Sequence, residues 1–242
     1  YDMLGFDPDS WDIMWDPNYA KQILQFSNSR DAFAIGQSLL GYDYNTENAD
    51  ELRAVADKLK EQKPVVQQYV MDQIYDKMIR GEAYIAPYYA GDYLWMLDDN
   101  PDLGFYFPEE GFNVFIDAIC IPKGCQNKEA AEAYINFLCD PEISGENLDY
   151  LGYSTPISEA KQYMDPEIAE SEIAYPSQEV LDNATSFTHL SDETTQLMDS
   201  LWLEVKTDSE NNYTIYIVAA VVVVAVIALL VGLNIRKKRK AE

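Results

Sequence analysis

Short apolar segments alternate with helical patterns over most of this chain, and that alternation restricts the fold more than any other feature. β-Branched and aromatic residues bounded by Gly, Pro or Asn predict strands at 22–26, 65–70, 84–89, 104–107 and 113–122. Apolar residues three and four apart predict helices at 30–40, 48–60, 72–80, 128–138 and 141–151, and a last helix after Ser191. Because strands and helices take turns in this way, we expect an α/β fold.

One predicted strand, 113–122, contains a single charged residue among apolar ones, Asp117. A lone carboxylate is costly to bury unless it meets a partner. Asp117 therefore either faces water or a backbone N–H at the strand end, or binds a cationic ligand. Phe115 lies two residues earlier, on the same face of the strand. An aromatic ring beside an acid suits an amine, because the ring attracts the cation and packs against its methylenes.

The C-terminal end has a different composition. Residues 215–233 are uncharged and rich in Val, Ala, Ile and Leu, and a basic run, 236–240, follows. A segment of about 20 apolar residues can cross a bilayer as a helix, and the basic flank favours the cytoplasmic side. We expect a linker at 206–214, a transmembrane helix at 215–234, a cytoplasmic tail at 235–242, and an extracellular or periplasmic domain before them. A signal sequence is expected upstream of Tyr1, in a missing N-terminal portion.

The charge balance argues against a nucleic-acid partner. The whole chain carries a net charge of −25, and the residues before the basic tail contain 12 basic and 41 acidic side chains. Such a domain repels phosphates and attracts cations.

The sequence suggests neither a catalytic centre nor a cofactor or metal site. It has one histidine, His189, and no nucleophile, metalloprotease or phosphate-loop motif. Acidic pairs such as Asp98-Asp99 leave an extracellular glycan hydrolase as an alternative. Three cysteines cannot form a disulfide framework. Cys120 and Cys139 are predicted to be buried among apolar residues, and a bridge from Cys120 to Cys125 remains an option.

An ordered series of short motifs resembles a known family. It comprises Asn113-Val-Phe-Ile-Asp117 with Pro122-Lys-Gly124, then Ala133-Tyr-Ile-Asn-Phe-Leu138, Asp140-Pro-Glu142 and Leu151-Gly-Tyr-Ser-Thr-Pro156. This series is similar to the C-terminal half of the spermidine/putrescine-binding proteins of polyamine ABC importers, and weaker similarity extends over residues 10–205.

The resemblance implies a type II periplasmic-binding-protein fold, in which two α/β lobes close on a ligand. Residues 1–114 and 163–205 would form the second lobe, and 115–162 would return to the first lobe, most of which would precede Tyr1. The domain would capture a polyamine for an ABC permease, separate or fused upstream, and its ATPase. A membrane-anchored sensor of a small cation is a further alternative.

The resemblance also assigns six ligand-binding positions. Asp117 matches the amine-binding aspartate, and Tyr153 matches a tyrosine of the Gly-Tyr-x-Thr-Pro turn. Phe115 and Tyr89 stand where the family often has Trp, so an aromatic wall is expected. Asp31 replaces a glutamate, and Asn28 replaces an aspartate, which removes one carboxylate. Asp31 could instead complement the dipole of its helix, and each aromatic could be a core residue.

Overall fold

The computed structural model describes residue 4 and residues 8–207. Packing divides the chain into one compact unit at Tyr1–Val205 and another at Lys206–Glu242, most of which lies outside the described residues. The described strands are β1 Ile23–Phe26, β2 Val66–Val70, β3 Phe112–Val114 and β4 Ala184–Ser186. The α-helices are α1 Ser29–Leu40, α2 Ala49–Gln62, α3 Gln73–Ile79, α4 Ala90–Asp99, α5 Lys128–Leu138, α6 Pro141–Leu151, α7 Pro166–Ala169, α8 Gln178–Leu181 and α9 Asp192–Thr207.

The first half of the unit is a parallel crossover. β1 pairs with β2, with Phe26 opposite Val70, and α1 and α2 connect them. Each of the two helices is capped at its start by an asparagine, Asn28 for α1 and Asn48 for α2. Asn28 Oδ1 accepts the N–H of Asp31 at 2.8 Å, and Asn48 Oδ1 accepts that of Asp50 at 3.0 Å. These caps satisfy amides that a helix start leaves unpaired, so the predicted α/β fold is confirmed for this half.

The main core lies between β1, α1, α2 and α9. The predicted helix after Ser191 is confirmed as α9, which buries Met198, Leu201, Trp202 and Val205 in this core. Trp202 packs edge-on against Phe33, with ring centroids 6.4 Å apart, and its indole N–H donates to the Ser27 carbonyl at 2.8 Å. Helix α9 therefore contacts the chain where it leaves β1 and enters α1.

The predicted strand 113–122 is wrong over most of its length. Only its first residues belong to β3, which pairs in parallel with β4, Val114 lying opposite Ser186. β4 ends there, and among the described residues no strand pairs with 115–121. An apolar run needs a neighbouring strand to form a ladder, so this segment continues without regular structure and exposes Ile116 (88%) and Ile119 (62%).

Two further predicted strands are also wrong. The segment 84–89 contributes a single bridge, between Ile85 and Ile23, and 104–107 has no strand. Aromatic packing replaces the ladder in the second case, because Phe105 contacts Phe107 at 5.2 Å between centroids and Phe107 contacts Phe112 at 4.8 Å.

The region around α5 exposes apolar groups that the sequence predicts to be internal. α5 itself has no buried residue, and Tyr134 and Phe137 are more than half exposed. The prediction that Cys120 and Cys139 are buried is wrong. Cys120 lies in the irregular segment 115–121 and Cys139 follows α5 directly, so both are exposed, and the three thiols are free. The option of a Cys120–Cys125 bridge is thus not realised in this structure.

Within the described part of the chain, no helix combines the length and apolar character that crossing a bilayer requires. The predicted span 215–234 and tail 235–242 lie outside the described residues. α9 continues to Thr207, so the first two residues of the predicted linker are helical.

Candidate functional site

A cavity of about 360 Å³ brings together residues from distant parts of the chain. Its wall consists of Asp31, Tyr89, Asn113, Phe115, Asp117, Tyr153 and Phe187. All of these except Phe187 also line a larger cleft of about 1810 Å³. Five of the six residues predicted from the sequence therefore meet on one surface, and Asn28 is the sixth.

Asn28 does not line the cavity, because both ends of its amide are used at the start of α1. Its oxygen caps the helix, and its Nδ2 donates to Asp31 Oδ2 at 2.6 Å and to the Met71 sulfur at 3.4 Å. Asn28 therefore orients the carboxylate of Asp31, which is half-buried in the first turn of α1. The amide of Asn28 can form this bond because its nitrogen is a donor, which an ionised carboxylate would not provide.

Tyr89 binds the same carboxylate oxygen as Asn28. It precedes α4, and its hydroxyl donates to Asp31 Oδ2 at 3.0 Å. Its ring stacks on Phe26, with centroids 5.5 Å apart. Burial, with the charge of Asp31 as the next cause, raises the pKa of Tyr89 well above its usual value, so the phenol remains a donor at neutral pH.

Tyr153 forms a second tyrosine–aspartate pair, with Asp92. Its hydroxyl donates to Asp92 Oδ2 at 2.7 Å, and burial followed by this bond raises the pKa of Tyr153. The ring lies directly against the backbone of Gly91, where an added Cβ would come within 2.2 Å of it. Gly152, at φ +71°, makes the turn that delivers the ring.

Asp92 was not among the site residues predicted from the sequence. It contributes to the site by accepting the hydrogen bond of Tyr153. Its signal is the i, i+3 spacing from Tyr89, which places both residues at the start of α4. The structure puts Asp92 behind the Tyr153 ring and not on the cavity wall.

Phe115 completes the aromatic part of the wall. Its ring meets Tyr89 and Tyr153 edge-on, at centroid distances of 5.6 and 6.3 Å, and is 42% exposed. It is therefore a surface ring of the cavity rather than a core residue. Asp117 follows two positions later, on the cavity wall and exposed, in the segment that forms no strand.

The cavity has the chemistry of a cation site. Asp31 and Asp117 provide two carboxylates, and none of the described residues that line it is basic. Four aromatic rings on the wall offer faces and edges to a hydrocarbon chain between charged groups. Among the described residues, no group of three or more His, Cys, Asp or Glu side chains could hold a metal ion.

Comparison with known proteins agrees with this chemistry. Residues 2–184 match the family described as bacterial extracellular solute-binding protein. The chain belongs to this family. The chain is 29% identical over 174 residues to the spermidine/putrescine-binding periplasmic protein of Escherichia coli K12, a match that covers 72% of this chain and 50% of the relative. It is 26% identical over 210 residues to the putrescine-binding periplasmic protein SpuD of Pseudomonas aeruginosa, covering 82% of this chain and 57% of the relative.

Solved structures show the same relationship. The chain superimposes on a Listeria monocytogenes protein described as a candidate spermidine/putrescine ABC transporter with a TM-score of 0.80, at 32% identity, covering 85% of this chain and 64% of that one. The substrate-binding protein PotD of a Streptococcus pneumoniae spermidine/putrescine ABC transporter gives a TM-score of 0.75 at 30% identity, with the same two coverages. The expected class, the α/β fold of type II binding proteins, is confirmed. The chain spans about half the length of the first curated relative.

The named relatives are binding proteins and transporter components, so the expectation of a binding protein rather than an enzyme is confirmed at the level of the family.

Proposed function

We propose that this chain is the ligand-capturing part of a polyamine ABC importer. The observation that carries the proposal is the cavity that sets the carboxylates of Asp31 and Asp117 among the rings of Tyr89, Phe115 and Tyr153. Polyamines are short hydrocarbon chains with an ammonium group at each end. Each ammonium can form charge-assisted hydrogen bonds with a carboxylate, while the methylenes pack on the rings.

Capture would occur by closure of two lobes around the amine. In this proposal residues 1–114 and 163–205 form the second lobe, and 115–162 belong to the first. The exposure of Ile116 and Ile119 and the absence of any buried residue in α5 support it, since apolar surface of this extent normally packs against other protein. Closure would exclude water from the cavity and strengthen each ion pair there.

The proposed location of the domain is the outer face of the cell membrane. The apolar run 215–234 would anchor it, the tail 235–242 would lie in the cytoplasm, and an ABC permease with its ATPase would receive the ligand. The extracellular family to which the chain belongs supports an external domain.

Isothermal titration of the full-length protein tests the function. Putrescine or spermidine should bind with a dissociation constant in the micromolar range or below, and 1,4-butanediol, which has the putrescine carbon chain but no charge, should give no heat. If both amines fail to bind at millimolar concentration while the protein is folded, the proposed function is wrong. If the diol binds equally well, the carboxylates are not responsible for binding.

A further inference from the structure

Asp92 is a carboxylate beside the cavity whose direct partner is a phenol and not a cation. It lies partly buried in the first turn of α4 and accepts the Tyr153 hydroxyl at 2.7 Å. Lys77 and Arg80, at the end of the neighbouring helix α3, form ion pairs with other acidic residues. Within the described part of the chain, no ion pair includes Asp92.

The ring of Tyr153 separates this carboxylate from the cavity. A Cβ at Gly91 would lie 2.2, 2.3 and 2.5 Å from three neighbouring atoms of the ring. Such similar distances place that Cβ over a face of the ring, so the backbone of α4 covers this face. The cavity is lined by the remainder of the ring, and Phe115 meets it there with centroids 6.3 Å apart. Asp92 lines neither the cavity nor the larger cleft, so a ligand in the cavity contacts Tyr153 instead.

The charge of Asp92 acts on the tyrosines around the cavity. Burial is the largest cause that raises the pKa of Tyr153, Tyr89 and Tyr88, and in each case the charge of Asp92 is a further cause. Among these three, the hydroxyl that donates to Asp92 is that of Tyr153. A phenol that donates its proton to an anion gains electron density in its ring, and the negative face of such a ring attracts a cation more strongly.

We infer that Asp92 is a positioning residue that strengthens amine binding through Tyr153, because its negative charge makes that ring a better partner for an ammonium group. This inference rests on the proposed polyamine function. It adds a third carboxylate to Asp31 and Asp117, which line the cavity and can pair with the ligand directly. Asp92 contributes differently, since it acts on the ligand by way of the aromatic ring.

Isothermal titration of the full-length protein with putrescine tests the inference. Asp92→Asn removes the charge but keeps the shape and an oxygen that can accept the Tyr153 hydroxyl. It should weaken putrescine binding by about threefold to tenfold, while the melting temperature without ligand stays within about 2 °C of the natural value. Asp98→Asn is the matched control, because it removes the same charge from the same helix at an exposed position outside the cavity. It should change the affinity by less than about 1.5-fold.

A double-mutant cycle with Tyr153→Phe tests whether the ring conveys the effect. Tyr153→Phe keeps the ring and removes the hydroxyl, so it should also weaken putrescine binding. Adding Asp92→Asn to that variant should cost less than about 1.5-fold more, because the carboxylate is then no longer bonded to the ring. Asp92→Ser, a second uncharged variant, takes the place of Asp92→Asn if a thermal melt shows that the latter does not fold.

Four results would overturn the inference. Natural affinity in folded Asp92→Asn would make Asp92 only an acceptor that holds the ring in place. An equal loss in Asp98→Asn would show that the overall charge of the domain is responsible. Natural affinity in Tyr153→Phe, or an undiminished effect of Asp92→Asn in that background, would show that the phenol does not convey the charge. Each of these results leaves the polyamine function standing, whereas failure of the natural protein to bind either putrescine or spermidine overturns that function and the inference with it.

Discussion

The contact between Gly91 and Tyr153 gives the sharpest prediction about how the site is held together. A Cβ at position 91 would lie 2.2–2.5 Å from three atoms of the Tyr153 ring. The ring would have to retreat by about 1.2 Å to reach ordinary van der Waals contact. Since Tyr153 is held by a 2.7 Å bond to Asp92, that retreat would weaken or break the bond.

The magnitude follows from these two effects. Overpacking costs about 1–3 kcal/mol, and a hydrogen bond to a charged acceptor contributes about 1.5–3 kcal/mol. With partial relaxation, Gly91→Ala should lower the free energy of unfolding by about 2–4 kcal/mol. For a unit of this size the melting temperature should fall by about 5–12 °C. Urea unfolding and a thermal melt measure both quantities.

A double-mutant cycle identifies the cause. In a Tyr153→Ala background the ring is absent, so Gly91→Ala should cost less than about 1 kcal/mol, and the better helix propensity of Ala in α4 could make it stabilising. The same penalty in both backgrounds would refute the argument, because the added methyl group would then be colliding with something other than Tyr153.

Three further predictions concern the cavity wall, the core and the anchor. Tyr89→Ala and Phe115→Ala should each weaken amine binding by about 1–2 kcal/mol in the full-length protein if their rings contact a desolvated cation; unchanged affinity in both folded variants would make them packing residues only. The Tyr69 hydroxyl is buried without a hydrogen-bond partner among the described residues, and burial raises its pKa from 10.0 to about 12. Folding therefore favours the neutral phenol of Tyr69. Its contribution to the free energy of unfolding is fully present below pH 10.0 and is lost as the pH rises towards about 12. In urea unfolding, Tyr69→Phe should leave the free energy of unfolding unchanged or raise it at pH 7, and should reduce the fall in that free energy at alkaline pH. Clear destabilisation at pH 7 would instead show that the Tyr69 hydroxyl forms a hydrogen bond in the folded protein. Finally, the full-length protein should sediment with membranes, and protease added to intact cells should remove the domain before residue 215; recovery in the soluble cytoplasmic fraction would contradict the proposed anchor.

The sequence predicted best the features that depend on neighbours along the chain. The starts of α1 and α2 were predicted to within a residue, because a helix cap and the first helical turn are only a few residues apart in the chain. β1 and β2 were placed to within a residue, since each is bounded by turn residues and buried by the same core. Local signals of this kind need no knowledge of the rest of the fold.

Features that depend on distant partners were not predictable in the same way. Residues 115–121 have the composition of a strand, but a strand also needs a neighbour, and β4 ends beside Val114. Asp92 and Tyr153 meet across 61 positions, and Phe187 reaches the cavity from beyond β4. Asp117 was selected as the lone carboxylate of an apolar run and Asp31 from a resemblance. The residue spacing alone could not place both on one cavity wall.

The measurement that tests the central claim most directly is the putrescine affinity of Asp117→Asn in the full-length protein. Asp117 is exposed in this structure. An ion pair that stayed exposed would be worth about 0.2–1 kcal/mol, or at most about fivefold in affinity. A pair closed off from water would be worth about 2–5 kcal/mol.

We therefore predict that Asp117→Asn weakens putrescine binding by about 30-fold or more, with an unchanged melting temperature in the absence of ligand. Asp57→Asn, which removes another exposed charge, on α2 and away from the cavity, should change the affinity by less than about twofold. An Asp117→Asn affinity within about fivefold of the natural value would contradict capture of the amine between closing lobes.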